Sequence, residues 1–387
     1  MFNAKTATST NSNPAQAGKE AALGVKDVKN LKMAFVYSGA QYSNQAELIN
    51  AIEQELKVPV IGNTSSVGVI TDKGFVTGDN GFAGILAIGD EDMTVGIAGK
   101  EKGKCPVETG EEVAREALKN AGRTDAPDYF YMVAPPGQEE YFLKGITKVI
   151  GRVPFFGGSA ADNDLSGQWK VYTDKVCTGD GVAVAFFYTK KPFANKFTGA
   201  YGETANVGVI TKLDGDRCLQ EIDGIPANKK YQQWTGVSDD AVAGGNLLVT
   251  AITAPLGVKD PLGNLVAVRH PMAGNPDGSM NIGNNMAVGT AIMQLDGSVD
   301  GLINSTGLTL AIVNENLAAP AGAYHLVHCG GRRIAIGDRI NEVYASLKEQ
   351  AGDTPFITEF TFGEYGYEGN SANTCGGLML SFTAFGK

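Results

Sequence analysis

VPVIGNTSSVG at residues 58–68 and VPFFGGSAADND at residues 153–164 are one pattern written twice. In each, a proline leads a short apolar run, a glycine ends it, and small polar residues follow. An apolar run of this length, bounded by glycine and polar residues, predicts a buried strand opening into a loop. Downstream, TGDNG (77–81) leads into the strand-like FAGILAI, and CTGDG (177–181) into VAVAFF. Upstream of the first copy lie the strand-like LKMAFVY (31–37) and a helical pattern over 43–56, with Ser43 as its cap. Upstream of the second lie helical patterns at 111–120 and 139–150 with a strand at 129–133 between them. The 95-residue offset between Val58 and Val153 marks an internal duplication. TPFITEFTFGEYG (354–366) ahead of CGGLMLSFTAF (375–385) is a fainter third echo, which chance similarity among glycine-rich strands explains equally well.

Working outward, Ser9–Pro14 is polar, and residues 1–14 read as a disordered lead-in to a helical stretch over 15–29. The duplicated domain is expected over 15–195. Beyond it the pattern shortens into hairpin-like turns, DGDR (214–217), DGIP (223–226) and KDPLGN (259–264), with helical patterns at 228–234 and 338–350. In the latter, Ile340, Val343, Tyr344 and Leu347 share one face. A second domain is placed over 196–387. The fold class is α+β: mixed sheets with flanking helices, an internally duplicated N-terminal domain, then a second α+β domain.

Composition narrows the function. A chain of 387 residues has room for two or three domains at roughly 150 residues each. The formal charge of −10, without a Lys/Arg stripe, argues against a nucleic-acid partner. The polar first 20 residues lack the apolar region of a signal peptide, and no apolar window is long enough to span a bilayer, so no membrane partner and a cytoplasmic location are expected. Cys105, Cys177, Cys218, Cys329 and Cys375 are dispersed and never spaced as CxxC, which speaks for reduced thiols.

These blocks, in this order, resemble the FIST family. Its N-terminal module is suggested by VPVIGNTSSVG and by VPFFGGSAADND followed by WKVYTDKVCTGDGVAVAFF. Its C-terminal module is suggested by VAVRHPMAG and DGSM within 266–280, HLVHCGGRR (325–333) and PFITEFTFGEYGY (355–367). The resemblance covers about residues 15–387. It implies a bacterial sensory protein for signal transduction that binds a small molecule, an amino acid or other small carboxylate among the candidates. The signal would pass in trans to a kinase, a cyclase or a chemotaxis module. His270, standing where the family often has an acidic or polar residue, and the CGG at 375–377 depart from the family pattern and leave the ligand open.

The residues offer candidates for that binding. Asn63, Thr64 and Ser65, and Gly158 and Ser159 in the second copy, follow strands where backbone N–H groups can hold an anion, or where small residues simply make a turn. Arg269 and Arg332 can each grip a carboxylate with a planar guanidinium, and Glu364 can accept from an ammonium group; a salt bridge between modules accounts for the same charges. Cys329 clusters with glycines nearby, and Tyr365 and Trp169 could wall an apolar pocket. No metal site is expected. Haem is a second possibility, because some relatives resemble haem-dependent nitric oxide sensors. His270, before a proline and so biased to an extended loop, is its candidate ligand. His325 and His328, three apart in a strand, point to opposite faces and should not share a metal. The chain has no HExxH or GxSxG, and GSMNIGNN lacks the lysine of a phosphate loop. A non-enzymatic role is therefore expected, with an enzyme or carrier using Cys329 or Glu364 as a further alternative.

Overall fold

The computed structural model describes residues 1–260, 264–369 and 372–387. The first unit runs β1 (Asn3–Ser9), α1 (Pro14–Leu23), β2 (Leu31–Ser38), α2 (Gln45–Leu56), β3 (Val60–Thr64), a hairpin of β4 (Val69–Thr71) and β5 (Gly74–Val76), and β6 (Ala83–Gly89). The order recurs as β7 (Thr94–Glu101), α3 (Pro106–Ala121), β8 (Tyr129–Ala134), α4 (Glu139–Ile150), β9 (Phe155–Ser159), β10 (Val171–Thr173) with β11 (Cys177–Thr178), and β12 (Gly181–Tyr188). A third round begins with β13 (Phe193–Thr198) and breaks off.

The interruption is a lobe of β14 (Gly202–Asp214), β15 (Cys218–Ile222), β16 (Ile225–Pro226), α5 (Ala227–Thr235), α6 (Asn246–Thr250), β17 (Leu256–Lys259), β18 (Val266–Arg269), β19 (Pro271–Gly274), β20 (Met280–Ile282) and β21 (Ala291–Asp296). Its strands form one sheet of their own. The third round then resumes with α7 (Val299–Asn316), β22 (Ala321–Cys329), α8 (Gly330–Ile336), α9 (Ile340–Ala351), β23 (Phe356–Thr361), the pair β24 (Glu364–Gly366) and β25 (Thr374–Gly376), and β26 (Leu380–Gly386).

Strand order shows how the three units are joined. The sheets run β1-β6-β2-β3-β10-β11, then β7-β12-β8-β9-β24-β25, then β13-β26-β22-β23-β4-β5. Each unit builds the first four strands of a sheet, and another unit's hairpin completes it. The first unit's hairpin goes to the third sheet, the second unit's to the first, and the third unit's to the second. Helix pairs α1/α2, α3/α4 and α7/α9 pack together, and the first two pairs close apolar clusters with their own sheets.

The sheet faces turned away from the helices share a single interior. The parallel registers Phe35↔Ile61, Tyr131↔Phe156 and His325↔Ile357 make Phe35, Tyr131 and His325 equivalent. Their rings close a triangle with centroid separations of 5.1, 4.6 and 5.2 Å, around which the three units are arranged. Gly62 and Gly157 are equivalent by the same registers, and a Cβ on them would lie 1.7 Å from Val36 O and 1.9 Å from Met132 O. In the third unit Thr358 holds that position.

The fold class agrees with the expectation, and the third echo is a true third copy. Several finer expectations are corrected. Residues 3–9 are not a disordered lead-in: they pair along β6 from Asn3↔Gly89 to Ser9↔Ala83. The polar stretch after them ends in Asn13, which caps α1 by accepting from Gln16 N. Asn44, rather than Ser43, caps α2. The boundary at 195/196 falls inside β13, a strand of the third sheet, so the sheets do not divide there. The KDPLGN turn lies partly outside the described residues; its flanking strands β17 and β18 pair antiparallel. Among the described residues no helix is long and apolar enough to cross a membrane.

Candidate functional site

A cavity of about 290 Å³ opens where the second unit, the third unit and the lobe meet. The second unit supplies Pro136 and Gly137 after β8 and Leu165 and Trp169 from the loop after β9. The third supplies Cys329, Gly331, Ile334, Phe362, Gly377 and Leu378, and the lobe supplies Arg217, Leu248, His270, Met272, Ile282 and Gly283. Trp169 and Phe362 meet edge to face at 6.1 Å across two units. At Gly331 an added Cβ would lie 2.8 Å from Leu378 Cδ2, 3.6 Å from Cys329 Sγ and 3.8 Å from His270 Cε1, so any side chain there intrudes on these lining groups.

Arg217 fastens the lobe to the body. Its Nη2 lies 2.6 Å from Glu139 Oε2 and 2.6 Å from Glu140 Oε2, both in the first turn of α4. Its Nε donates to Asn285 Oδ1 at 2.8 Å and its Nη1 to Gly283 O at 2.6 Å, which holds the guanidinium flat against the lobe. Asn285 N donates to Glu140 Oε1 at 3.1 Å, and Gly137 N to Glu139 Oε2 at 2.7 Å. Burial and the neighbouring Glu140 raise the Glu139 pKa, with Arg217 opposing. Burial works against the Arg217 charge, but the two carboxylates outweigh it and raise its pKa. Sequence reasoning saw only a turn residue of DGDR in Arg217, because its partners lie far away in the chain.

His270 sits just after β18 with its ring buried; Nε2 is 2.9 Å from Leu248 O. A carbonyl only accepts, so Nε2 carries the proton. Burial lowers the ring's pKa to about 4, leaving it neutral. Behind the wall, Glu364 accepts from Thr361 Oγ1 at 2.9 Å and from Met379 N at 2.7 Å. Burial raises its pKa to about 8. Burial likewise pushes the Cys329 thiol well up, although the N–H groups of Arg332, Gly331 and Leu378 oppose the shift.

The other sequence candidates divide differently. Arg332 does not line the cavity: it is fully buried, donating from Nη1 to Gly199 O at 2.7 Å and from Nη2 to Leu302 O at 3.0 Å and Ser305 Oγ at 2.6 Å. Arg269 is also tied to backbone, at Cys375 O (3.1 Å) and Val268 O (3.2 Å). Arg332 thus commits both Nη atoms within the core, whereas Arg269 commits only Nη1 and its buried Nε has no partner among the described residues.

Asn63, Thr64 and Ser65 are fully buried, so they form no open anion loop. Ser65 Oγ bonds Gly68 O at 2.7 Å and accepts from Phe360 N at 2.8 Å, and Thr64 Oγ1 accepts from Lys170 N at 2.9 Å. Gly158 pairs with Glu364 across β9/β24, and Ser159 Oγ bridges Tyr365 OH (2.8 Å) and Glu139 Oε1 (3.2 Å). Tyr365 is therefore a core residue rather than a pocket wall.

A second polar group, missed by the sequence reading, lies at the centre of the three units. Tyr37 OH is hydrogen-bonded to His325 Nε2 and lies 3.3 Å from Tyr131 OH. Tyr131 OH lies 3.1 Å from both Asn63 Oδ1 and Glu359 Oε1. All five side chains are completely buried. Burial raises Glu359 to about 7 and lowers His325 to about 3.

Of the three histidines only His270 lines the cavity, and Nδ1 is its ring nitrogen without a partner among the described residues. His325 and His328 are fully buried on opposite faces of β22, and His270 has committed Nε2 to a carbonyl. A cavity of about 290 Å³ is at the bottom of the usual range of roughly 300–1,000 Å³ for ligand sites. Among the described residues no cluster of three or more His, Cys, Asp or Glu is arranged to hold a metal ion.

Residues 32–225 match the FIST N domain and residues 227–367 the FIST C domain. No curated protein matches the chain. Among solved structures, cyanuric acid hydrolase from A. caulinodans aligns over 100% of both chains at 10% identity with a TM-score of 0.33. PurLQS from Thermotoga maritima aligns over 99% of this chain and 72% of that one, at 10% identity and a TM-score of 0.24.

Proposed function

The chain belongs to the FIST family, whose domains are sensory units of signal transduction, and on that premise we propose that it is a receptor for a small molecule held in the cavity between lobe and body. The observation that carries this reading is the composition of the wall. A ligand there touches two units of the body and the lobe at once, so its binding energy depends on how the lobe is seated. The lobe is inserted rather than woven into the three sheets, so a shift of the lobe breaks no strand pair of the body, and it slides instead on the apolar contacts that Ile252, Val268 and Leu295 make with the third unit. Its displacement is the signal offered in trans to a kinase, a cyclase or a chemotaxis module.

The protein acts by binding rather than turnover. Support comes from the cavity's one thiol: burial holds Cys329 toward its protonated, non-nucleophilic form. Gly331→Leu tests the site by filling it. A ligand found by thermal-shift screening stabilises the native chain by about 2.7 kcal/mol at a hundredfold excess over Kd. The variant should lose that stabilisation while keeping its far-UV spectrum. Unchanged affinity in a folded Gly331→Leu protein would place the ligand elsewhere and defeat the proposal.

A further inference from the structure

The cavity's chemistry narrows what it holds, an inference that rests on the binding reading above. Its side chains are chiefly Leu, Ile, Met, Trp and Phe, and the single formal charge among the described lining residues, Arg217, already faces two carboxylates at 2.6 Å. An anion entering beside Arg217 would meet Glu139 and Glu140, and an ammonium group would meet the guanidinium. Either would also leave water for an apolar box, at a cost that no uncommitted counter-charge offsets. The rim is apolar too: Leu165 and Ile334 line the opening and are 46% and 45% exposed, an arrangement that an apolar occupant covers.

Specificity then rests on few polar atoms. Nε2 of His270 donates to Leu248 O, so Nδ1 holds a lone pair, and among the described residues nothing in the chain donates to it. The indole N–H of half-buried Trp169 has no acceptor among the described residues either.

We propose that the ligand is an uncharged, mainly apolar small molecule that gives one hydrogen bond, from a hydroxyl or N–H group, to Nδ1 of His270. Without such a donor the buried lone pair is stripped of water and left unmatched, which is what separates the true ligand from an apolar look-alike.

Four probes of one shape test this by calorimetry and thermal shift on the full chain: indole, its donor-free analogue indene, indole-3-carboxylate and tryptamine. Indole should bind saturably and on the order of tenfold more tightly than indene, and the two charged probes should bind more weakly than either. In His270→Phe the preference for indole over indene should vanish while indene binds as before, which shows that the variant is folded. His270→Gln, which can accept and still donate to Leu248 O, should restore the preference. Tightest binding by a charged probe, an indole preference that survives His270→Phe, or no saturable binding by indole overturns the inference. Tightest binding by a charged probe that Gly331→Leu abolishes would overturn it while leaving the binding cavity itself intact.

Discussion

Replacing Arg217 by Met removes the charge that fastens the lobe while keeping most of the side chain's bulk. Glu139 is 1% exposed, and in the variant it and Glu140 face each other with no cation between them. Removing one partner of a buried ion pair costs about 3–5 kcal/mol, and protonation of Glu139, whose pKa is already raised, holds the loss near the lower figure of about 3 kcal/mol. At about 2.1 cal/mol/K per residue, an unfolding entropy near 0.8 kcal/mol/K for 387 residues turns that loss into a fall of about 4 °C in Tm if the chain melts as one unit. If the lobe melts first, its smaller entropy makes the shift larger and a separate early transition appears. Calorimetry reads both cases, and hydrogen exchange should rise at residues 136–140 and 283–285 while β2, β8 and β22 stay protected. Adding Glu139→Gln and Glu140→Gln to the Met variant should recover most of the loss, because the unmatched carboxylates go with it. Unchanged Tm and unchanged exchange at 136–140 in Arg217→Met would show that the ion cluster does not seat the lobe.

Further outcomes follow from other parts of the molecule. Glu359 has its pKa raised to about 7 from an ordinary value of 4.5, so the folded chain holds a proton that the unfolded chain releases; stability present below about pH 4 is lost as pH rises through 7, by up to about 3 kcal/mol. Glu359→Gln should therefore be stabilising at pH 8 and near neutral at pH 4, read from urea midpoints; equal effects at both pH values would contradict a buried, protonated carboxyl. Gly62→Ala sets a Cβ 1.7 Å from Val36 O, a backbone atom that cannot rotate away, and should cost at least about 3 kcal/mol or prevent folding, checked by soluble yield and circular dichroism. Joining residue 201 to residue 297 through a short linker removes the lobe, whose ends are adjacent because Gly202 pairs with Asp296; the body should remain folded by NMR dispersion and lose all ligand-dependent stabilisation.

Much of the architecture is visible in the chain because β3 and β9 keep the same proline, apolar run and glycine. The third copy is faint for two physical reasons. Thr358 stands where Gly62 and Gly157 stand, which erases the motif's most visible letter, and the lobe separates β13 from α7 in sequence while leaving the unit intact in space. The hairpin exchange has no local signature at all, since Val69–Thr71 finds its partner in Ile357–Glu359. That exchange also explains the fate of the glycine-loop candidates. Loops after strands are usually open, but here another unit's hairpin lies over them, and Thr64, Ser65 and Ser159 spend their polar atoms on the join. Arg217, the group that seats the lobe, and the Tyr37, Tyr131 and His325 cluster were hidden in an ordinary turn and in apolar runs, where polarity reads as incidental.

The borrowed hairpins also set a schedule for synthesis. β4 emerges from the ribosome early and waits for β23, and the first sheet has its outer strands only after the second unit is made. No sheet of the body is complete until a later segment arrives, and the third must wait for β26, the last of its strands to be made. Such distant pairings slow folding and leave strand edges open meanwhile, so a nascent chain stalled before residue 380 presents unsatisfied edges that invite aggregation and call for a holding chaperone.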